Sequence, residues 1–284
     1  MSEIARPGRV HEITSTANPI VKDIRRLTQK RHRDETDSFL GEGLKLVLDA
    51  VEQGWHVATL IYAKNSRGMA RLDALAARVV ASGGDVLEVS EKVLGIIVRR
   101  DNPQAVAAVI RRRTTPLSAI APQGEDVWVA LDRVRDPGNL GTVMRTIDAV
   151  GAKGLILVGD TVDPFGLEAV RATMGSLFSV PLARCMEAEF LEWRARWPGR
   201  VIGTHLGGAV DYRAIDYRDA PQLIVMGNEQ RGLTEALAKA CDERAIIPQA
   251  GRADSLNLAV ATGVMLFEVR RHALNVGDTT EAAS

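Results

Sequence analysis

The first stretch whose residue types suit chemistry is Asp136-Pro137-Gly138-Asn139-Leu140-Gly141-Thr142-Val143-Met144-Arg145. It sits where an apolar strand pattern gives way to a helical one. Glycines there let the backbone approach a ligand closely. A helix start also offers N–H groups without partners, which suits an anionic or polar group. Asn139 can donate and accept hydrogen bonds at once. Arg145 lies on a different face from Val143, Ile147 and Val150 and has two readings: a guanidinium available to a ligand, or a surface pair with Asp148 three residues on.

Two further stretches share this character. Met226-Gly227-Asn228-Glu229-Gln230-Arg231-Gly232-Leu233 follows the apolar run Leu223 to Met226 and precedes a helical pattern. Two glycines five apart allow a sharp turn at the carboxyl end of a strand, where open α/β sheets bind ligands, and Glu229 would be held in that turn. The other reading is a loop leading into a helix with an exposed Glu. The third stretch runs from Ile246-Ile247-Pro248 to Asp254-Ser255-Leu256-Asn257-Leu258. Asp254, Ser255 and Asn257 are each good residues for capping the long helix that follows, but capping accounts for one of them and not for the whole string. Leu256, Val260, Gly263 and Phe267 form the apolar stripe expected on that helix.

Several familiar sites are missing. There is no G-x-x-x-x-G-K-[ST] loop, and Gly41-Glu42-Gly43 meets Leu46 where a dinucleotide fingerprint needs its third glycine. There is no H-E-x-x-H, the five histidines are scattered, and Cys185 and Cys241 form no metal or redox spacing. A triphosphate hydrolase, an ordinary dinucleotide dehydrogenase and a zinc hydrolase therefore lose support, and no metal is expected. No run approaches ~18 apolar residues, so no membrane span is expected. The N-terminal stretch lacks the apolar core of a secretory signal, and the thiols suit a reducing cytoplasm.

The elements that must position these residues follow from periodicity. In the first part, helices are expected near Pro19 to Leu27 (Ile20, Ile24 and Leu27 inward), Leu44 to Gln53 (Leu44, Val47, Leu48 and Val51 on one stripe), Ala70 to Ala81 and Glu91 to Val98. Strands are expected at Ser38 to Gly41, Val57 to Tyr62, Val86 to Val89 and Ala105 to Ile110. Alternating strands and helices indicate an α/β unit over residues 1–113. Residues 114–124, with Pro116, Pro122 and Gly124, read as a linker. In residues 125–284, Val127 to Leu131 has the continuous apolar character of a buried parallel strand. Further strands are expected at Gly154 to Val158, Val201 to Thr204, Leu223 to Met226 and Arg244 to Ile247. Helices are expected at about Leu140 to Val150, Leu167 to Met174, Glu187 to Arg196, Leu233 to Ala240 and Leu256 to Ala273. The tail from Asn275 is small and polar, as frayed ends are.

The chain of 284 residues carries 36 basic and 36 acidic side chains, so bulk charge alone would not hold a polyanion. The distribution is uneven. Met1 to Gln123 has a net charge of +5 and the remainder −5. The basic excess lies in Lys22, Arg25, Arg26, Lys30, Arg31 and Arg33 and again in Arg99, Arg100, Arg111, Arg112 and Arg113. Either run is a phosphate-attracting face or a solvated helix face.

Taken in order, the motifs resemble those of the SpoU (TrmH-like) family of RNA ribose 2′-O-methyltransferases, in the trefoil-knotted SPOUT class. The matches are N-x-G-x-x-x-R at Asn139, Gly141 and Arg145, G-x-E-x-x-G-L from Gly227 to Leu233, and S-L-N from Ser255 to Asn257 preceded by Ile247-Pro248. The stretch from Asp163-Pro164-Phe165 through Arg171, Gly175, Phe178 and Pro181 resembles the segment between the family's first two motifs. The resemblance covers about residues 127 to 273. It implies an α/β fold with a C-terminal trefoil knot, the chain threading between about Ile224 and Phe267. The first unit is similar to a small α/β RNA-binding domain of ribosomal-protein type often fused ahead of it.

The implied cofactor is S-adenosyl-L-methionine, contacted by Thr204, Met226, Gly227, Ile247 and Leu256. The implied catalytic and substrate-positioning set is Asn139, Arg145, Glu229, Ser255 and Asn257. Arg25, Arg26, Lys30 and Arg31 are expected to contact the RNA backbone. The expected activity is methylation of a ribose 2′-hydroxyl, with ribosomal RNA favoured over transfer RNA as partner. The alternatives are a tRNA 2′-O-methyltransferase, a base methyltransferase of the same class, or a non-catalytic RNA-binding protein that keeps the fold. A homodimer through the knotted domain is expected in the cytoplasm.

Overall fold

A computed structural model describes residues 7–204, 210–252 and 255–275. Asp254 and most of the polar tail lie outside the described residues. In chain order the elements begin with β1 (Val10–Ile13), α1 (Pro19–Arg26), α2 (Lys30–Thr36), β2 (Ser38–Glu42), α3 (Leu44–Glu52), β3 (Val57–Ala63), α4 (Ala70–Ala81), β4 (Asp85–Val89), α5 (Glu91–Val98) and β5 (Val106–Arg111). They continue with β6 (Val127–Asp132), α6 (Pro137–Ala149), β7 (Gly154–Val158), α7 (Leu167–Ala172), α8 (Ser176–Ser179), β8 (Leu182–Cys185), α9 (Glu187–Arg194), β9 (Arg200–Thr204), β10 (Val210–Asp211), β11 (Gln222–Met226), α10 (Glu235–Ala240), β12 (Glu243–Ile246) and α11 (Leu258–Val269). Among the described residues, no helix is long and apolar enough to cross a membrane.

The chain packs into two units. One comprises the residues up to Arg113 together with Asp163–Phe178; the other comprises Thr114–Val162 and the residues from Ser179 onward. The stretch 163–178, placed with the second unit from its sequence position, thus packs with the first, and the reasons are chemical. Phe165 and Phe178 join Phe39 and Trp55 in an aromatic cluster with ring centroids 5.1 to 6.4 Å apart. Each such pair adds roughly 0.5–1.5 kcal/mol beyond area burial. The Trp55 indole N–H donates to the Phe178 carbonyl (3.1 Å). Arg33, only 4% exposed, donates to the Asp163 carboxylate through Nε and Nη2 (2.9 and 2.6 Å) and to the Leu27 carbonyl through Nη1 (2.7 Å). Arg171 Nε donates to the buried Glu42 (2.7 Å).

The first unit's sheet has the order β1-β4-β3-β5-β2. β1, β4 and β3 run parallel, and β5 is antiparallel to both β3 and β2. β1, α2, α8, β8 and β10 are absent from the sequence expectation because each is short, two to seven residues, and gives little periodicity to read. Two apolar stripes are rotated from expectation. On α1, Val21 is buried and Ile20 exposed; on α3, Leu46, Val47 and Ala50 are the buried set. Helices this short offer two neighbouring apolar faces, and the sheet beneath selects one.

The second unit's sheet, β10-β12-β9-β11-β6-β7-β8, is parallel throughout. Burial on both faces explains the continuous apolar runs: β6, β7 and β11 have no exposed residue. α11 lies against α6. It buries Leu258, Ala259, Thr262, Met265, Leu266 and Val269, whereas Val260 (53%) and Phe267 (55%) are exposed with Leu256. Three members of the expected apolar stripe therefore face outward, and Gly263 is half-buried. This helix is apolar all round, so its pattern could not choose a face.

Candidate active site

Three chain segments leave the carboxyl ends of β6, β11 and β12 and meet there. After β6, Asp136 caps α6, its Oδ1 accepting from the Asn139 N–H (2.6 Å), with Pro137 in the first helical position. The cap fixes Asn139 in the first turn, one residue type legible from the D-P pair.

After β11 the chain turns through Gly227 to Gly232. Asn228 and Gly232 exchange two backbone hydrogen bonds (3.1 and 2.9 Å) that close the loop. A Cβ on Gly227 would stand 2.5 Å from the Gly232 carbonyl carbon and from the Leu233 nitrogen, so glycine is required by close approach of backbone. Gly232 has φ +66°, the left-handed region glycine tolerates best. The Asn228 side chain braces the turn. Its Oδ1 accepts from the N–H groups of Gln230 (3.0 Å) and Arg231 (3.3 Å), and its Nδ2 donates to the Arg133 carbonyl (2.8 Å) and to Glu229 Oε2 (3.3 Å).

After β12 the chain reaches Asn257, which caps α11. Its Oδ1 accepts from the N–H groups of Ala259 (2.9 Å) and Val260 (3.3 Å).

These three segments close one polar network. Asn257 Nδ2 donates to Asn139 Oδ1 (2.9 Å), and Asn139 Nδ2 donates to Glu229 Oε1 (3.1 Å). Both amide orientations are dictated by chemistry. The cap needs an oxygen, which turns the Asn257 NH2 toward Asn139. A carboxylate needs a donor, which turns the Asn139 NH2 toward Glu229. Both ends of the Asn139 amide are therefore engaged. Asn139 links the three segments, while Glu229 keeps further lone pairs for a ligand.

A cavity of about 500 Å³ opens beside the network. Thr204, Met226, Gly227, Ile247 and Leu256 all line it, as do Glu229 and Ser255. Asn139 and Asn257 adjoin it through Glu229. Arg145 stands apart, exposed on α6; among the described residues it forms no hydrogen bond or ion pair, and the pair with Asp148 is not made. Burial pushes the Cys185 thiol up to about 12 and the Cys241 thiol up to about 11, so neither is a thiolate near neutral pH.

In the first unit, Arg25 and Arg26 are exposed on α1 and Lys30 and Arg31 on α2. Arg33 and Arg112 leave the expected basic face: the first is buried on Asp163, and the second is paired with Asp34 (2.7 Å) and Asp37 (3.0 Å). The fold also unites the two basic runs. Arg25, Lys92, Arg99 and Arg100 line one hollow of about 790 Å³, a meeting of residues that linear sequence does not signal.

Sequence reasoning also missed Asp132, Arg133 and Thr234. Asp132 is 1% exposed and accepts from Arg133 Nε and Nη2 (2.8 Å each) and from the Thr234 N–H (3.3 Å). The adjacent Asp-Arg pair at a strand end was the only signal.

Residues 126–267 match the SpoU rRNA Methylase family, and residues 18–108 match the MRM3-like substrate binding domain. A 23S rRNA (uridine(2479)-2′-O)-methyltransferase from Streptomyces viridochromogenes is 33% identical over 262 residues, 88% of each chain. A 23S rRNA (guanosine(2553)-2′-O)-methyltransferase from Bacillus subtilis is 30% identical over 259 residues, 91% of this chain and 99% of the relative. The AdoMet-bound structure of an rRNA methyltransferase from Sinorhizobium meliloti is 58% identical, with TM-score 0.89, covering 94% of this chain and 99% of that one. With half the chain matched and the ordered motifs converging on one network, the chain belongs to the SpoU rRNA methylase family.

Proposed function

We propose that this protein transfers a methyl group from S-adenosyl-L-methionine to a ribose 2′-hydroxyl of ribosomal RNA. The observation that carries the reading is the Asn257–Asn139–Glu229 network on the rim of the cavity that Thr204, Met226, Gly227, Ile247 and Leu256 line. The names of the relatives, 23S rRNA 2′-O-methyltransferases, support the same substrate class.

The cavity suits the cofactor. Its volume is in the range of small-molecule sites, Met226, Ile247, Leu256 and Leu258 offer apolar contact, and Gly227 lets the lining loop close on the backbone of Gly232 and Leu233. When bound, the cofactor's sulfonium supplies an already activated methyl group, so the protein's task is alignment of the hydroxyl and care of its proton. Proximity and orientation can supply on the order of 7–11 kcal/mol of barrier reduction. Glu229, held by Asn139 and Asn228, is positioned to orient the hydroxyl, and Ser255 offers a further hydroxyl on the same cavity. A guanidinium is a poor proton acceptor, so the role that suits Arg145 is a grip on an RNA phosphate and stabilisation of developing alkoxide charge. Labelled methyl transfer to separated ribosomal and transfer RNA tests the substrate class: label in the transfer RNA alone contradicts it.

The first unit supplies affinity in this reading, through Arg25, Arg26, Lys30 and Arg31. Reversing Arg25 and Arg26 to glutamate is expected to weaken RNA binding about tenfold or more at low salt. It should flatten the log–log salt dependence by about 0.7–0.9 per lost phosphate contact and leave cofactor binding unchanged. An unchanged slope contradicts this role.

The exposed Leu256, Val260 and Phe267, with half-buried Gly263 among them, support a homodimer formed through the C-terminal part of the chain, which in this reading is also where the chain threads. Phe267→Asp is expected to weaken self-association about a hundredfold in sedimentation experiments. A wild-type monomer, or an unaffected dimer, contradicts it. The reading places the enzyme in the cytoplasm.

A further inference from the structure

A second hollow lies on loop 227–232. It measures about 320 Å³ and is lined by Arg133, Arg135, Asn228, Gln230 and Arg231. Three guanidinium and two carboxamide side chains form this lining, with no carboxylate, in a chain whose charges balance overall. Two of the arginines belong to the segment after β6 and one to the loop after β11, so the parallel pairing of these neighbouring strands brings them together.

The hollow is held in shape from behind. Arg133 takes φ +50°, a conformation uncommon for a side chain of its size, and three contacts hold it there. Its Nε and Nη2 grip the buried Asp132 as a fork, and its carbonyl accepts from Asn228 Nδ2 (2.8 Å). Nη2 also points at the Gly232 carbonyl (3.4 Å). Asp132 is thereby neutralised behind the lining. Nη1 of Arg133 has no partner among the described residues and remains a fixed donor. Arg231 is exposed and unpaired among the described residues, and its N–H is tied to Asn228 Oδ1. Arg135 pairs with Asp160 (2.9 Å), but both side chains are more than half exposed, and such a pair exchanges readily for another anion. The other carboxylates next to lining residues are engaged elsewhere: Glu229 turns its oxygens to Asn139 and Asn228, and Asp136 caps α6.

Asn228 makes the arrangement coherent. One side chain ties Glu229 on the cavity rim and Arg133 and Arg231 at the hollow into a single braced loop. A ribose presented to Glu229 carries a phosphodiester on either side. We propose that this hollow binds a phosphodiester flanking the ribose that is methylated, with Arg135 and Arg231 supplying charge and Arg133 a fixed donor. These are positioning residues for the RNA, and the proposal rests on the reading that the chain acts on RNA. The same anion chemistry could come from the carboxylate of the cofactor's amino-acid end, since Arg231 also borders the cavity.

The test uses the full chain with Arg135→Ala, Arg231→Ala, the double variant and Arg231→Lys. It measures S-adenosylmethionine affinity by calorimetry, 23S ribosomal RNA transcript binding against salt, and steady-state methylation. The expected result for the double variant is a KM for RNA raised about tenfold or more, with kcat within about threefold and cofactor affinity unchanged. Its salt slope should be shallower by about 1 to 2, and Arg231→Lys should restore part of the slope. Unchanged KM and slope overturn the proposal. Weakened cofactor binding with unchanged RNA binding also overturns it and assigns the hollow to the cofactor carboxylate. Failure of the wild-type protein to methylate any RNA defeats the functional reading instead, and the salt slopes then still decide whether the hollow holds phosphate.

Discussion

Replacing Asn139 with alanine is expected to slow methyl transfer by about two to three orders of magnitude, while affinity for S-adenosyl-L-methionine stays within about threefold of wild type. The expectation comes from the engagement of both ends of this amide. Its loss removes the donor to Glu229 Oε1 and the acceptor for Asn257 Nδ2 together. Glu229 keeps only the longer bond from Asn228 (3.3 Å) and gains freedom to swing. Asn257 keeps its cap on α11, so the fold survives. Asn139 does not line the cavity, which is why binding and chemistry should separate. Single-turnover rates at saturating cofactor read this directly. Asn139→Asp sharpens the test. A carboxylate cannot donate to Glu229 and sets two like charges against each other, so it should be at least as slow as alanine at neutral pH. It should recover part of its rate as pH falls, when the two carboxylates share a proton. A wild-type rate in Asn139→Ala, or an Asn139→Asp variant as fast as wild type, contradicts the account of the network.

Gly227→Ala is expected to cost at least about a hundredfold in cofactor affinity, equivalent to roughly 2.7 kcal/mol. The added Cβ would meet the backbone of Gly232 and Leu233, not a side chain that could turn away. The loop cannot give locally, because the paired backbone bonds between Asn228 and Gly232 and the Asn228 side chain hold it on three sides. Either the strand end or the loop must shift, and both line the cavity. Overpacking of this kind costs about 1–3 kcal/mol of stability, or a fall in Tm of roughly 2–10 °C. Gly251→Ala is the matched control: it is exposed, with open space around its Cβ position, and should leave both affinity and Tm unchanged. Equal cofactor affinity in Gly227→Ala and wild type contradicts the close-packed loop.

What the sequence discloses of this site is its parts, and what it withholds is their wiring. Asn139, Glu229 and Asn257 stand out because each follows a strand and precedes a helix or turn, with glycine, proline or a capping residue beside it. Asn139 meets Glu229 across 90 positions because the paired strands β6 and β11 place their carboxyl ends side by side, and Asn257 meets Asn139 across 118 positions where α11 packs on α6. The longer strands and helices were legible because buried parallel strands are apolar throughout and amphipathic helices are periodic, whereas short elements such as β1, α2, α8, β8 and β10 were not. The faces of α3 and α11 were not legible, since helices with apolar residues on several sides leave the choice to their surroundings. Arg33 illustrates a second limit. In a run of basic residues it looks like its solvated neighbours, and only its partner 130 positions away, Asp163, makes it a buried structural ion. Arg133 illustrates a third, because nothing in an Asp-Arg pair announces a left-handed backbone.

The central claim is that the network aligns a ribose hydroxyl, and identification of the methylated nucleoside tests it most directly. The purified protein is incubated with isotopically labelled S-adenosyl-L-methionine and ribosomal RNA from cells lacking this methyltransferase. The RNA is digested to nucleosides, and the labelled product is resolved by mass spectrometry. The account predicts label confined to one 2′-O-methylnucleoside of ribosomal RNA, abolished or severely reduced by Asn139→Ala. Label on a base nitrogen or carbon, or RNA left unlabelled by a protein that binds the cofactor, contradicts it.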